Sequence, residues 1–319
     1  MFMQAQWIYF TDKGVAEIRE VDVGDPKADE IQVKCIANGI CMGEVSLFTG
    51  METHRFPLPL VPGHEGIGRV TRIGSEVTEV KEGDYVVCRQ WATLMNVKAG
   101  GAVRFAKRPA DPSIAVAEPV DCVVGALYSF EIMPGDRVLL MGAGFMGLLN
   151  VQGLRACPIA ELVVTDVKQP NLDLAAEFGA TKVINTALAE GREELDSYRE
   201  RKFDLVIEAA GVEPTLKLAG QLTRVGGRIG LFAWHHTPRP LDLGEWHMGG
   251  YKVLNASPMI STDRAVSTME RAVRLIECGT FDLSKLITHR HHYTRVQEAM
   301  ELAVDRRAGY IKGVLLFDE

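Results

Sequence analysis

The sequence RVLLMGAGFMG, at residues 137–147, decides the fold of this chain. An apolar run breaks into three glycines and then resumes a helical pattern, which predicts a strand, a turn and a helix N-terminus. Gly142 suits a tight turn, Gly144 lets backbone N–H groups approach a pyrophosphate, and Gly147 lets the helix pack closely. The helix dipole favours negative charge at that point. We therefore expect a dinucleotide to contact the turn and the first helical residues, Gly142, Gly144, Phe145, Met146 and Gly147.

A carboxylate at the expected distance supports this prediction. The next apolar run, at residues 162–165, ends on Asp166, about 20 residues after the last glycine, where a ribose-binding carboxylate is expected. Such a carboxylate accepts hydrogen bonds from ribose hydroxyls and repels a 2′-phosphate. Asp166 therefore favours NAD as the cofactor, and the nearby Lys168 leaves NADP open as the alternative.

Length and composition restrict the class of protein. A chain of 319 residues with 47% hydrophobic residues is expected to form about two ordinary globular domains. The net charge of -7, with no long basic run, argues against a nucleic-acid partner. The first ten residues lack the features of a secretory signal, and no apolar run reaches the length of a membrane span. We expect a cytoplasmic protein without membrane association.

The cysteines do not form a disulfide pattern. There are six, they show no C-x-x-C spacing, and they are sparse for a disulfide-stapled chain. Reduced thiols are therefore expected, and at most one or two of them as metal ligands.

The order of sequence patterns predicts two domains. Short strands separated by Gly, Asp and Pro fill the first part of the chain, whereas later apolar runs alternate with helices, as in a doubly wound parallel sheet. A helix is predicted over residues 262–278 and a last strand over 311–317, which needs a sheet to join. We therefore predict an α/β fold in which a dinucleotide-binding domain, residues 121–256, is inserted into a mostly β catalytic domain, residues 1–120 and 257–319.

A second motif, PGHEGIG at residues 62–68, suits a metal site. The glycines free the backbone to bring an imidazole nitrogen inward, and Cys41 at the end of a predicted strand offers a thiolate. Zinc bound by Cys41 and His64 would require further ligands. Glu65 and Glu118 are the candidates.

These motifs together resemble the zinc-dependent medium-chain dehydrogenase/reductase family, above all its sorbitol and other polyol dehydrogenases. The resemblance covers nearly the whole chain and rests on Gly-Ile-Cys at 39–41, Gly-His-Glu-Gly-Ile-Gly-Arg-Val at 63–70, Glu118-Pro119, the glycine turn and Ile-Lys-Gly-Val at 311–314. It implies a Rossmann domain inserted into a GroES-like catalytic domain.

The resemblance also implies the chemistry. Zinc held by Cys41, His64 and a carboxylate, either Glu65 or Glu118, would act as a Lewis acid on a substrate hydroxyl, so that hydride passes to NAD. The implied substrate is a secondary alcohol, either a polyol or a sugar derivative. Relatives commonly pair through an edge of the dinucleotide sheet, which implies a homodimer or homotetramer, with residues 251–256 as the edge.

The chain departs from the family pattern in two places. After the first cysteine the family usually has Gly, then Ser or Thr, then Asp, whereas this chain has Met42, Gly43 and Glu44. Gly43 lacks the hydroxyl that begins the usual proton path of the family. Ser46 is the expected substitute for that hydroxyl in carrying the proton, and Glu44 is expected to hold the site in order. Together with His64 these two are the predicted catalytic residues. Many relatives carry a lobe with four closely spaced cysteines that bind a structural zinc, whereas residues 89–117 contain no cysteine. The resemblance therefore implies one catalytic zinc and no structural zinc.

Other histidines carry weaker expectations. His235, His236 and Trp234 follow a predicted strand of the dinucleotide sheet, where they would line the nicotinamide or substrate pocket. A group near the C-terminus is expected at the surface, in an irregular segment that makes a poor metal site: His289, His291 and His292.

Two other functions remain open from the sequence. The first is a zinc-free reductase of quinones or enones that uses NADPH, which the missing hydroxyl at Gly43 slightly favours and the intact Cys41 and His64 oppose. The second is a non-catalytic, NAD-binding regulatory protein.

Overall fold

The computed structural model describes residues 2–52, 54–235, 237–257, 267–307 and 309–318. The chain divides into two compact units: unit 1 is Met1–Val120 with Met269–Glu319, and unit 2 is Asp121–Thr268. The predicted fold, a doubly wound α/β domain inserted into a mostly β domain, is confirmed. The functional domain limits predicted above, with a boundary at residues 256 and 257, stay a prediction.

The strands and helices of the described residues are numbered in chain order. The strands are β1 Met3–Asp12, β2 Val15–Val23, β3 Glu30–Gly39, β4 Gly66–Ile73, β5 Tyr85–Cys88, β6 Leu94–Lys98, β7 Arg137–Met141, β8 Glu161–Asp166, β9 Lys182–Asn185, β10 Phe203–Glu208, β11 Thr223–Leu231, β12 Lys252–Asn255, β13 Ile287–His292 and β14 Lys312–Leu316. The helices are α1 Met42–Phe48, α2 Glu118–Ser129, α3 Phe145–Arg155, α4 Gln169–Glu177, α5 Ala189–Ser197, α6 Glu213–Leu222, α7 Leu243–Gly249, α8 Thr268–Glu277 and α9 Val296–Asp305. Short 3-10 helices cover Pro112–Ile114 and Tyr293–Arg295.

Unit 1 is built on a sheet that joins its two chain segments. The strand order is β13-β14-β3-β4-β5, with β6 also paired to β3, and β1 and β2 form a separate antiparallel pair. β14 runs antiparallel to β3, so that Val314 lies opposite Gly39 at the end of β3. The alternating apolar residues of β3, such as Ile31 and Val33, are fully buried in the core of this unit. This sheet fixes the backbone that leads into Cys41.

Unit 2 is a parallel sheet with the strand order β12-β11-β10-β7-β8-β9. Residues 138–141 of β7 are completely buried, as expected for a central strand covered by helices on both faces. The strand order reverses between β7 and β10, and ligands of such sheets bind at the carboxyl ends of the strands beside this switch point. β12 is an edge strand within the predicted edge, residues 251–256.

The structure corrects one prediction near the C-terminus. His289, His291 and His292 lie on the regular strand β13, not in an irregular segment, and β13 pairs in parallel with β14. The helix predicted over residues 262–278 is described from Thr268, and residues 262–266 lie outside the described part of the chain. In the described part, no helix is both long and apolar enough to cross a membrane.

Candidate active site

Cys41 is the N-cap residue of helix α1 and is held by it. Its backbone is extended, its Sγ accepts a hydrogen bond from the Gly43 N–H at 3.4 Å, and its own N–H donates to Glu44 Oε2 at 3.0 Å. This reciprocal arrangement is a capping box, which satisfies backbone groups that the first turn of a helix leaves unpaired. The short helix therefore fixes the direction of the Cys41 thiol.

Glu44 also fixes His64. The buried Glu44 carboxylate accepts the Gly63 N–H at 3.2 Å, and its Oε1 lies 2.6 Å from His64 Nδ1. An imidazole whose Nδ1 is engaged by a carboxylate presents Nε2 to a metal ion, and such a partner fixes both tautomer and ring orientation. The family usually has Asp at this position, and Glu44 likewise places a carboxylate beside His64.

Glu65 is paired with a lysine from the far end of the chain. Lys312 Nζ lies 2.8 Å from Glu65 Oε1 and 2.5 Å from Oε2, and the two side chains are 5% and 2% exposed. A Cβ at Gly39 would overlap the Glu65 carboxylate, so glycine is needed there for close approach. The sequence gives no sign of this partner, because Lys312 stands out there only as part of the Ile-Lys-Gly-Val motif.

The side chains of this region suit a divalent metal ion. Their ligand atoms lie within 4.8 Å of one another in two groups that share His64: Cys41, Glu44 and His64, and His64, Glu65 and Glu118. Thiolate, imidazole and carboxylate are all zinc ligands. A divalent cation would also offset part of the negative charge of these carboxylates, one of which, Glu65, is already paired with Lys312. Within the described residues, every such group includes His64.

The cluster raises the pKa values of two of its candidate ligands, His64 and Cys41. Burial disfavours a charged His64, but its hydrogen bonds to Cys41 and Glu44 and the nearby carboxylate charges outweigh burial and raise its pKa to about 12. Burial, followed by the charge of Glu65, raises the pKa of the Cys41 thiol. Metal ligands must be deprotonated, so a bound metal ion would displace protons from both residues.

The structure does not connect Ser46 to this cluster. Ser46 is completely buried on α1, and its Oγ has no hydrogen-bond partner among the described residues. A Cβ at Gly43 would lie 3.8 Å from His64 and 3.9 Å from Cys41, so a hydroxyl-bearing residue would fit at that position. The part of Ser46 in proton transfer stays a prediction.

The glycines of the turn in unit 2 differ in what a side chain there would meet. Gly142 has a φ of +105°, and a Cβ there would lie 2.8 Å from the Ala210 backbone nitrogen. Gly144 caps α3 and faces open space, where a phosphate can approach the backbone. A Cβ at Gly147 would overlap the Gly142 carbonyl oxygen. Phe145 and Met146 form the first turn of α3.

Asp166 is held beside this turn at the end of β8. Its Oδ2 accepts the Ala143 N–H at 2.6 Å, and its Oδ1 accepts the Lys168 N–H at 2.8 Å. Each carboxylate oxygen can accept a further hydrogen bond. The structure therefore places the predicted ribose-binding carboxylate next to the predicted phosphate-binding turn.

A histidine of unit 2 has a partner that the sequence did not reveal. His235 Nε2 lies 2.9 Å from Oε2 of Glu208, the last residue of β10. Glu208 is completely buried. The position of Glu208 at the carboxyl end of a strand was a usable signal, but its separation of 27 positions from His235 hid their pairing. His236 lies outside the described residues.

Comparison with known protein families agrees with this architecture. The alcohol dehydrogenase GroES-like domain family matches residues 27–112, and the zinc-binding dehydrogenase family matches residues 146–277. Together the matches span more than half of the chain. The chain belongs to the zinc-dependent medium-chain dehydrogenase family, which confirms the resemblance.

Individual relatives lie within this family. The chain is 28% identical to an L-threonine 3-dehydrogenase of Pectobacterium carotovorum, over 91% of this chain and 92% of that protein. It is 26% identical to a sorbitol dehydrogenase of Bombyx mori, over 90% of this chain and 91% of that protein. An Escherichia coli oxidoreductase/dehydrogenase of unknown specificity shares the fold, with a TM-score of 0.88, 23% identity and coverage of 99% and 100% of the two chains.

Proposed function

We propose that this protein is a zinc-dependent dehydrogenase that transfers hydride between a secondary alcohol and NAD. The observation that carries the proposal is the cluster of Cys41, His64 and carboxylates in unit 1. A polyol or sugar derivative is the proposed substrate, and the similarity to a sorbitol dehydrogenase supports it. The similarity to an L-threonine 3-dehydrogenase keeps other secondary alcohols in the test.

The residues of the cluster have distinct proposed tasks. Cys41 Sγ, His64 Nε2 and a carboxylate of Glu65 or Glu118 are the proposed ligands of one zinc ion. Zinc bound there supplies Lewis acidity, which lowers the pKa of a substrate hydroxyl. Glu44 holds the His64 ring in the orientation that leaves Nε2 available. Lys312 balances the charge of Glu65 while that carboxylate is not on the metal.

The cofactor site is proposed in unit 2. The open space at Gly144 and the N-terminus of α3 suit a pyrophosphate, and Asp166 suits the adenine ribose. Phe145 and Met146 would contribute backbone N–H groups of the first helical turn.

The same observations support the two alternative functions less well. A zinc-free NADPH-dependent reductase has no use for a thiol, an imidazole and carboxylates fixed around one point. A regulatory NAD-binding protein would need the glycine turn but not this cluster. Addition of a chelator distinguishes the zinc-free reductase from the proposed function, because the turnover of a zinc-free enzyme would not decrease.

The test combines metal analysis with a substrate panel. Purified protein is assayed with polyols, sugars, L-threonine and simple secondary alcohols, using NAD and NADP side by side. We expect one zinc ion per chain and an NAD-linked activity that chelation abolishes and added zinc restores. Full activity of a zinc-free protein would contradict the proposal, and NAD binding without turnover across the panel would favour the regulatory alternative.

The choice between NAD and NADP depends on Asp166. We expect Asp166→Asn to lower the ratio of kcat/KM for NAD to that for NADP by roughly tenfold, because it removes a charged acceptor from the ribose and a repulsion from a 2′-phosphate. Steady-state kinetics with both cofactors measure this ratio. Asp173→Asn, on the exposed surface of α4, is the control and should leave the ratio unchanged. An unchanged ratio in the Asp166 variant would remove Asp166 from the cofactor site.

A further inference from the structure

The Glu208 side chain is fixed by hydrogen bonds and in turn holds His235. Its Oε1 accepts hydrogen bonds from the Ala210 N–H at 2.9 Å, the Gly211 N–H at 2.8 Å and the Thr215 hydroxyl at 2.7 Å. Its Oε2 is left for His235 Nε2, at 2.9 Å. A carboxylate fixed on one oxygen and completely buried cannot turn away, so the imidazole is fixed as well.

The other nitrogen of the same ring is unsatisfied. His235 Nδ1 is shielded from solvent and has no hydrogen-bond partner among the described residues. Because Nε2 donates to the carboxylate, Nδ1 of the neutral ring carries a lone pair and accepts. A buried acceptor without a partner costs free energy, which a ligand with an N–H or O–H group would recover.

The position of the pair identifies that ligand. Asp166 and the glycine turn lie on the β7–β8 side of the switch point, where the adenine half and the pyrophosphate of a dinucleotide are expected. Glu208 is the last residue of β10, on the other side of the switch point, and it lies opposite Met141 of β7. His235 follows β11, the next strand beyond β10. A dinucleotide that crosses the switch point therefore brings its nicotinamide half to His235.

We propose that His235 Nδ1 accepts a hydrogen bond from the nicotinamide nucleoside half of the cofactor, with Glu208 as the positioning residue. The donor is a ribose hydroxyl or the carboxamide N–H. The inference rests on the proposed cofactor site of unit 2 and assigns to it a residue outside the glycine turn and Asp166. It requires no metal ion and no contact with unit 1.

Ligand binding by the whole protein tests the assignment. Dissociation constants for NADH, ADP-ribose and ADP are measured by calorimetry for the wild type and for His235→Phe. Loss of one hydrogen bond to a buried acceptor is expected to weaken NADH binding about three- to tenfold. ADP, which lacks the nicotinamide nucleoside, should bind unchanged. Weakening of both NADH and ADP-ribose would assign the donor to the ribose, and weakening of NADH alone would assign it to the carboxamide.

Two further variants make the result specific. His235→Asn keeps a polar side chain near the position of Nδ1 and should recover part of the NADH affinity. His289→Phe, on β13 of unit 1, is the matched control and should change none of the three constants. Unchanged NADH binding by His235→Phe, or equal weakening of NADH and ADP, would overturn the assignment. A wild-type protein that binds none of the three ligands would instead refute the cofactor site itself.

Discussion

Replacement of Cys41 by serine is expected to lower kcat/KM for NAD-linked alcohol oxidation on the order of 10³-fold, because Lewis-acid stabilisation worth several kcal/mol is lost with the metal. The serine hydroxyl is nearly isosteric with the thiol but is a far poorer ligand for zinc. We expect the purified variant to contain little or no zinc. Metal analysis and steady-state kinetics on the same preparation measure both effects.

The control for this experiment is a second cysteine. Cys278 is exposed at the end of α8, outside the cluster around His64, and Cys278→Ser should retain both zinc and activity. Binding of NADH to the Cys41 variant should also be unchanged, because the proposed cofactor residues lie in unit 2. A Cys41→Ser protein that keeps its zinc and its turnover would show that the thiol is a buried core residue.

Replacement of Lys312 by methionine is expected to lower the free energy of unfolding of the metal-free protein by about 3–5 kcal/mol. The change removes the cation that lies 2.5 Å from a carboxylate with a side-chain exposure of 2%. The loss of one partner from a buried ion pair leaves the other charge uncompensated. Chemical denaturation after removal of metal by a chelator measures the difference.

The double variant Lys312→Met/Glu65→Gln separates the ion pair from simple packing. Removal of both charges should restore most of the lost stability, because no buried charge then remains unpaired. Lys252→Met, which removes an exposed lysine lying 3.0 Å from the exposed Glu131, is the control and should cost well under 1 kcal/mol. If the single and double variants were equally unstable, the packing of the lysine stem rather than its charge would be responsible.

The sequence revealed the parts of the fold that follow from local patterns. The buried run of β7 and the glycines after it predicted a strand, a turn and a helix, since a tight turn and close packing both require glycine. Cys41 and His64 could be recognised because each stands in a short motif with its own backbone requirements. β13 was not predicted because the half-buried His289 and His291 alternate with exposed residues on an edge strand, a pattern that resembles a polar loop.

The partners within each site could not be predicted, because they depend on register between distant strands. Lys312 reaches Glu65 across 247 residues only because β14 pairs antiparallel with β3. Glu208 and His235 meet because two parallel strands end at the same edge of the sheet. Neither pairing leaves a periodic signal, and a shift of register by one residue would point the side chains to the opposite face.

Because β14 lies between β13 and β3, the sheet of unit 1 cannot be completed until β14 has been synthesised. Residues 121–268 are synthesised before β14 exists, so unit 2 can fold while the end of β3 still lacks its neighbour. The end of β3 leads directly into Cys41, and Lys312 arrives only with β14 itself. The candidate ligands Cys41, His64, Glu65 and Glu118 are thus all synthesised before β14, and the buried Glu65 carboxylate gains its lysine partner only when the last strand pairs with β3.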